Sequence, residues 1–172
     1  MSTEAHDEIP GRRQFTITRT FDAPRDRVFA AWTEADKLAQ WWGPAGVDIT
    51  VLRLEVWPGG MFHYSMTVPT GGVHYGRFVF HQVDAPEKLV FFNAFSNAGG
   101  GIERHFMVPT WPREVRNVWT FEADGERTIV TGKGLPVNAT EEEHFTFVGA
   151  FAAMEAGFGG TLDQLERFLK KG

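Results

Sequence analysis

The pattern of apolar and polar positions changes several times along the chain, and each change predicts a new element. Apolar and polar residues alternate strictly from residue 14 to residue 21, in the segment QFTITRTF. A two-residue period of this kind predicts a half-buried β-strand. The polar segment before it, residues 1–12, contains Pro10 and Gly11 and is expected to be a disordered lead-in. Residues 13–172 are then expected to form one domain.

Helical spacing replaces the alternation after Pro24. Asp22 is placed as the N-terminal cap, and the apolar positions of the first helix are Val28, Phe29 and Trp32. Thr33 and Asp36 have the spacing of a capping box, which predicts a second short helix. The apolar side of that helix would carry Leu38, Trp41 and Trp42.

Short strands separated by turn signals are predicted over the middle of the chain. The predicted strands are 47–56, 60–67, 72–83, 88–95, 114–122 and 127–134. Sequential short strands with tight turns indicate an antiparallel meander. The stretch from residue 96 to residue 113 is too long for a hairpin loop, and loops of that length are usually functional or disordered.

One amphipathic helix of about 30 residues is predicted over residues 140–170, long enough to lie across the sheet. Thr140 and Glu143 have capping-box spacing at its start. Its apolar stripe consists of Phe147, Val148, Phe151, Met154, Phe158, Leu162, Leu165 and Leu169. Three glycines interrupt it, at positions 157, 159 and 160, each at a cost of roughly 0.8–1 kcal/mol relative to alanine. We expect a kink or close packing there rather than contact with a ligand.

The hairpin around Val68 and Pro69 determines which side chains would face this helix. A three-residue loop followed by Gly71 places Tyr64 opposite His74. The inner face would carry Phe62, Tyr64, Met66, His74, Gly76, Phe78 and Phe80, and the outer face His63, Ser65, Tyr75, Arg77 and His81. The same parity places Val115, Asn117, Trp119 and Phe121 inward. The face of strand 88–95 is undecided, and Asn93 joins the inner set if the strand continues inward through Phe91.

An aromatic wall with a few polar groups is typical of a small-molecule pocket. The residues expected to bind a ligand are Phe62, Tyr64, His74, Phe78, Asn93, Asn117, Trp119, Phe151 and Phe158. His105 and Trp111 lie in the long loop and are expected to gate the pocket. Two alternatives stay open: Trp111 plugs the end of the core, or the core is filled and its few polar groups satisfy one another.

Composition narrows the function further. The chain has 172 residues, 16 phenylalanines, 6 tryptophans and no cysteine, so thiolate sites are excluded. A net charge of −5 without a basic cluster argues against a nucleic-acid partner. His63 and His74 lie on opposite faces in the predicted register, so neither a metal site nor another cofactor is expected. No secretion signal and no apolar run of membrane-spanning length is visible, so we expect a cytoplasmic protein without a membrane partner.

Several motifs, spread from about residue 14 to residue 170, match a known pattern together. They are Pro24-x-x-x-Val28-Phe29-x-Ala31-Trp32-Thr33, Trp41-Trp42-Gly43-Pro44, Gly59-Gly60-x-Phe62, Tyr75-Gly76, Pro86-Glu87-Lys88-Leu89, Thr110-Trp111-Pro112 and Gly160-Thr161-Leu162-Asp163-Gln164-Leu165. Together they resemble the family named for the activator of heat-shock protein 90 ATPase. The resemblance implies the α+β helix-grip fold of the START-like (SRPBCC, polyketide cyclase-like) superfamily. In that fold a curved antiparallel sheet of about six to seven strands, with two short helices, grips a long C-terminal helix over a hydrophobic cavity.

Three functions stay open at this point. The first is binding of a hydrophobic or aromatic small molecule, as a carrier or sensor. The second is a cyclase-like or hydrolase-like enzyme acting on a polyketide or aromatic ligand, with His74, Tyr64 and Asn117 as acid–base and orienting groups. The third is a chaperone-linked interaction module, which requires an exposed apolar patch. Binding is preferred over catalysis, and the formation of a homodimer is left open.

Overall fold

A computed structural model describes residues 12–171, so the predicted lead-in lies outside the described residues except for Arg12. The described residues form seven strands and four helices. The strands are β1 (Phe15–Phe21), β2 (Asp48–Leu54), β3 (Met61–Thr67), β4 (Val73–Asp84), β5 (Lys88–Ser96), β6 (Glu114–Asp124) and β7 (Arg127–Val137). The helices are α1 (Arg25–Thr33), α2 (Ala35–Trp41), α3 (Glu141–Gly149) and α4 (Phe151–Lys170).

The strands form one antiparallel sheet in the order β1-β7-β6-β5-β4-β3-β2. Strands β2 to β7 follow the predicted meander, and β1 joins the sheet beside β7. The register shifts between Val51 and Arg53 and between Phe80 and Gln82, and irregularities of this kind bend and twist a sheet. The curved sheet and the long C-terminal helix confirm the α+β helix-grip fold.

Tryptophans of the first two helices fill one part of the concave face. The rings of Trp32 and Trp41 lie 4.9 Å apart between centroids, and Trp32 also lies 4.7 Å from Trp119 of β6. The indole nitrogen of Trp41 donates a hydrogen bond to the carbonyl of Ala31 at 2.8 Å. This bond satisfies a buried polar group and ties α2 to α1.

The predicted caps of α1 and α2 are wrong. The N-cap of α1 is Pro24 rather than Asp22, and the N-cap of α2 is Glu34, and neither makes a side-chain capping bond. Thr33 belongs to the last turn of α1, where its hydroxyl donates to the carbonyl of Phe29 at 2.9 Å. The hydroxyl is therefore used within α1 and does not cap the next helix.

The predicted single C-terminal helix is in fact two helices. Helices α3 and α4 meet at Ala150, and their axes differ by 58°. The capping box of Thr140 and Glu143 is confirmed. The glycines do not cause the bend, because α4 continues through them, and a Cβ at Gly157 or Gly160 would have no neighbour within 4 Å. Neither a kink nor close packing therefore explains these two glycines.

Within residues 12–171, no single helix is long and apolar enough to cross a bilayer, although α3 and α4 together, as a bent pair, have sufficient length and apolar composition.

The register of the β3–β4 hairpin is shifted by two residues from the prediction. Tyr64 lies opposite Gly76 rather than His74, and His74 lies opposite Met66. The loop is longer than predicted, because Thr67 already pairs with Val73 and five residues connect them. Since side-chain direction has a period of two, this shift leaves the predicted faces unchanged.

The undecided face of β5 is also settled by pairing. Asn93 lies opposite Phe78 on one side and Val115 on the other, so it belongs to the inner face. On β6, the inward residues Asn117 and Trp119 lie opposite glycines of β7. The two asparagines are thus on neighbouring strands and share the concave face.

Candidate functional site

A cavity of about 80 Å³ lies between the β1–β7–β6 part of the sheet and the C-terminal helices. Its wall consists of Phe15, Ile17, Asn93, Trp111, Val115, Asn117, Trp119, Gly132, Lys133, Gly134, Phe147, Met154 and Phe158. Four of the residues predicted to bind a ligand are among them, namely Asn93, Asn117, Trp119 and Phe158, together with the predicted gate residue Trp111. The wall is aromatic, with two amide side chains as its polar part.

The two amide side chains are in direct contact. The nitrogen of Asn117 donates to the side-chain oxygen of Asn93 at 2.6 Å and to the backbone carbonyl of Val115 at 3.1 Å. Asn117 is 8% exposed, so its polar atoms are removed from bulk solvent. A Cβ added at Gly134, a wall residue, would lie 3.9 Å from the side-chain oxygen of Asn117. That oxygen therefore lies at the wall of the cavity.

The structure places Phe62, Tyr64 and Phe78 away from the wall of the small cavity. These side chains lie in the filled part of the core. They line neither the small cavity nor a second cavity, which is lined by His74. The space in front of them is occupied by Trp42, whose ring centroid lies 5.2 Å from that of Phe78 and 6.1 Å from that of Tyr64. Burial raises the pKa of Tyr64 to about 12, so its hydroxyl stays protonated at neutral pH.

Phe151 and His74 also lie off the wall of the small cavity. Phe151 packs beside it, 5.5 Å from Phe147 between ring centroids. His74 lines a second cavity of about 200 Å³, whose other residues are Val73, Tyr75, Phe95, Ser96, Glu103, Arg104 and Phe106. The ring of His74 stacks on that of Phe106 with centroids 4.0 Å apart. His74 is therefore separate from the asparagine pair.

His105 organises the long loop between β5 and β6. Its Nδ1 accepts hydrogen bonds from the backbone N–H groups of Met107 and Val108, at 3.0 and 3.1 Å. Burial and the nearby charge of His74 lower the pKa of His105. The lowered pKa agrees with the geometry, because an Nδ1 that accepts two hydrogen bonds cannot carry a proton.

The same loop is attached to α3. The guanidinium of Arg104 lies 3.3 Å from the carboxylate of Glu143, and the hydroxyl of Thr146 donates to that of Thr110 at 2.9 Å. Burial opposes the charged form of Glu143, but hydrogen bonds from Thr140 and the charge of Arg104 outweigh it and lower the pKa of the carboxyl.

Trp111 lies between this loop and α3. Its ring centroid is 5.6 Å from that of Phe147 on α3 and 6.3 Å from that of His105. The loop and α3 thus close one end of the small cavity together.

Three aromatic or flexible residues of the cavity wall are not among the residues predicted to bind a ligand, namely Phe15, Phe147 and Met154. The alternation in β1 marks Phe15 as one of its apolar positions, and the helical stripe includes the other two residues. The pattern of apolar residues does not show that β1 pairs with β7. This pairing places Phe15 opposite Gly134 and close to the asparagines.

No group of three or more histidine, aspartate or glutamate side chains within residues 12–171 is arranged to hold a metal ion.

Several solved structures are similar to this chain. A protein from Arthrobacter aurescens has a solved structure with a TM-score of 0.79 and 26% identity, over 96% of this chain and 91% of that one. A protein from Mycobacterium smegmatis is also 26% identical, with a TM-score of 0.73 over 92% of this chain and 91% of that one. DynU16, a protein of the dynemicin biosynthetic locus, shares the fold at 19% identity and a TM-score of 0.62, over 91% of this chain and 47% of that one.

A comparison with curated proteins found no match. The family model described as "Activator of Hsp90 ATPase homolog 1-like protein" matches residues 22–170, which include both short helices, strands β2 to β7 and both C-terminal helices. The match extends over most of the chain and agrees with the helix-grip architecture. The chain belongs to the family of activator of Hsp90 ATPase homolog 1-like proteins.

Proposed function

We propose that this chain binds a small apolar molecule, preferably one with an aromatic ring, in the cavity of about 80 Å³. The observation that carries the proposal is the composition of the wall. Five aromatic rings surround a space whose polar side chains are two asparagines in mutual contact. Apolar wall area supplies affinity and a few fixed polar groups supply orientation in sites of this kind.

The volume of the cavity limits the ligand. An engineered protein cavity of about 150 Å³ holds benzene, whereas drug-sized ligands occupy sites of about 300–1,000 Å³. A ligand of this chain is therefore a single-ring compound, and side chains must move apart to admit it. Met154 is a half-buried wall residue with a flexible thioether chain, which suits such an adjustment.

Catalysis by the predicted acid–base groups is not supported by the geometry. Tyr64 lies in the filled core and His74 lines the other cavity, so neither shares a site with Asn117. Among the described wall residues the one with an ionisable side chain is Lys133. Lys133 lies opposite Val118, on the outward parity of the sheet, so its backbone rather than its ammonium group faces the cavity.

An interaction surface is the second candidate function, and it rests on two adjacent side chains. Phe106 and Met107, at the tip of the long loop, are 59% and 73% exposed. Large exposed apolar side chains that adjoin each other are typical of contact sites. This candidate does not use the small cavity, so the experiment on the cavity separates the two.

The proposal is tested by titrating the purified protein with toluene and following tryptophan fluorescence, because Trp111 and Trp119 lie on the wall. Native mass spectrometry of the protein as purified shows whether a small molecule already occupies it. The variant Gly134→Ala adds a methyl group in contact with Val115, Asn117 and Phe147 and reduces the free volume. Gly157→Ala is the matched control, because its methyl group meets no other residue.

We expect toluene to bind the parent and the Gly157→Ala control with equal affinity, and to bind Gly134→Ala several-fold more weakly. Absence of binding to the parent, or equal binding to both variants, would mean that the cavity is not the site. Binding of a protein that requires Phe106 and Met107, without any effect of toluene, would favour the interaction function instead.

A further inference from the structure

The hydrogen bonds of Asn117 fix which polar atoms the cavity offers. Its amide nitrogen has two hydrogens, and both are used, one toward Asn93 and one toward the backbone carbonyl of Val115. A backbone carbonyl can only accept a hydrogen bond, so the atom of Asn117 beside Val115 must be the nitrogen. The orientation of this amide is therefore set by the backbone and not by the neighbouring side chain.

The orientation of Asn93 follows from that of Asn117. Because the nitrogen of Asn117 donates to Asn93, the contacting atom of Asn93 is its oxygen, at 2.6 Å. Within the described residues, two groups of the pair then have no hydrogen-bond partner: the side-chain oxygen of Asn117 and the side-chain amide NH2 of Asn93. The first accepts hydrogen bonds and the second donates them.

Each of the two groups is bonded to the same carbon as an atom of the Asn117–Asn93 hydrogen bond, so the two groups lie close together. They belong to side chains in hydrogen-bond contact, and both side chains line the cavity. A ligand that covers such groups without making hydrogen bonds to them loses affinity. The pair therefore selects among apolar molecules of similar shape.

We infer that the ligand is a planar, uncharged compound that carries a hydrogen-bond donor next to an acceptor, as in a primary amide or a lactam. Its N–H donates to Asn117, its carbonyl accepts from Asn93, and its ring lies against the aromatic wall. A carboxylate of the same shape is disfavoured, because it lacks the donor and would bring a negative charge against the oxygen of Asn117. This inference rests on the proposed function and specifies the ligand class of that site.

The test uses three compounds of matched shape. Benzamide has the donor and the acceptor, acetophenone keeps only the acceptor, and benzoate keeps the shape but is charged at neutral pH. Their affinities for the full chain are measured by tryptophan fluorescence and calorimetry beside that of toluene. The variant Asn117→Leu has a side chain of similar size without polar atoms. Nuclear Overhauser contacts between the amide protons of benzamide and the side chain of Asn117 report the position of the bound ligand in the parent chain.

We expect benzamide to bind about tenfold more tightly than acetophenone, and benzoate to bind most weakly of the three, because the unmatched ligand leaves a buried group unpaired. In Asn117→Leu the ratio of the benzamide and acetophenone affinities falls to about one, whatever the change in the affinity for toluene. If toluene binds and benzamide has no advantage over acetophenone, the inference is wrong and the proposed function stands. If neither toluene nor any of the three binds, the proposed function itself fails. Should the variant not fold, the Overhauser contacts decide: their absence with bound benzamide overturns the inference.

Discussion

The ring of Tyr64 lies directly over Gly76, its cross-strand neighbour, so that a Cβ on Gly76 would lie 2.4 Å from the hydroxyl-bearing end of the ring. The same arrangement occurs on the same face of the sheet between β6 and β7, where Trp119 covers Gly132. In both pairs a large aromatic side chain on one strand occupies the space that a side chain on the next strand would take. Gly76 and Gly132 therefore make room for aromatic rings on the concave face.

Gly76→Ala is expected to destabilise the protein by about 2–3 kcal/mol, the upper range for overpacking. The ring of Tyr64 cannot easily move aside, because Phe62 lies 4.8 Å and Phe78 6.0 Å away between centroids. Urea unfolding measures the loss. The matched change Gly134→Ala, whose Cβ would have its nearest neighbour at 3.4 Å, is expected to cost less than about 1 kcal/mol.

A double variant checks the cause. If the ring of Tyr64 is responsible, Gly76→Ala combined with Tyr64→Leu costs clearly less than the sum of the two single changes. Additive costs would show that Gly76 is required for a different reason, such as the backbone of β4 itself.

Glycine 76 also shows why sequence predicts the faces of the sheet better than its cavities. Alternation fixes that Gly76 and Tyr64 point inward, and the structure confirms this. Whether an inward glycine leaves room for a ligand or for a neighbouring ring depends on which residues lie opposite each other. The observed register of β3 and β4 differs from the predicted one by two residues. As a result Gly76, and not His74, lies opposite Tyr64.

The C-terminal helices give a second example. The apolar stripe and the capping box predicted a helix over residues 140–170, and both parts are helical. The bend at Ala150 directly follows Gly149, the last residue of α3, and the periodicity of the apolar stripe takes no account of this helix-disfavouring residue. The bend comes where α3 packs on the long loop through Arg104 and Trp111, which is a tertiary contact that no periodicity encodes.

Gly157→Ala is expected to stabilise the protein by about 1 kcal/mol, the difference in helix propensity between the two residues. Position 157 lies within α4, and a Cβ there would meet no other residue within 4 Å, so the change adds no clash. Gly71→Ala is the control, because Gly71 has equally open surroundings but a φ of 91°, which disfavours alanine. We expect its stability to fall. If the stability of Gly157→Ala also falls, helix propensity does not decide the effect, and this region of α4 requires glycine for another reason.

Acid is expected to destabilise the loop between β5 and β6 through His105. Burial and the charge of His74 lower its pKa in the folded protein, so the unfolded chain binds a proton first as the pH falls. The stabilisation is fully present above the unfolded pKa of about 6.5 and is lost as the pH falls below that value toward the folded pKa. Protonation of Nδ1 would also break its hydrogen bonds with Met107 and Val108.

The change His105→Asn tests this pH dependence. Asparagine can place an oxygen where Nδ1 accepts the two backbone hydrogen bonds, but it does not titrate. Unfolding free energies at pH 7, 6 and 5 should fall less steeply for the variant than for the parent. The unfolding free energy of the variant still depends on pH, because burial and the charge of Arg12 also lower the pKa of His144. Equal slopes for the variant and the parent would contradict the role of His105.

Trp111→Leu is expected to enlarge the cavity at the end closed by the loop and α3. The side chain of Trp111 is half-buried, lies on the wall and contacts Phe147, so a smaller residue leaves free space beside the aromatic wall. The loss of stability should stay below the roughly 3–5 kcal/mol typical of truncating a fully buried tryptophan, because part of the ring is already in contact with solvent. If the cavity is the binding site, naphthalene should bind the variant more tightly than the parent, whereas toluene should gain little. Fluorescence of Trp119, which remains on the wall, reports both titrations. Unchanged selectivity between the two hydrocarbons would show that Trp111 packs against the core without limiting the size of the ligand.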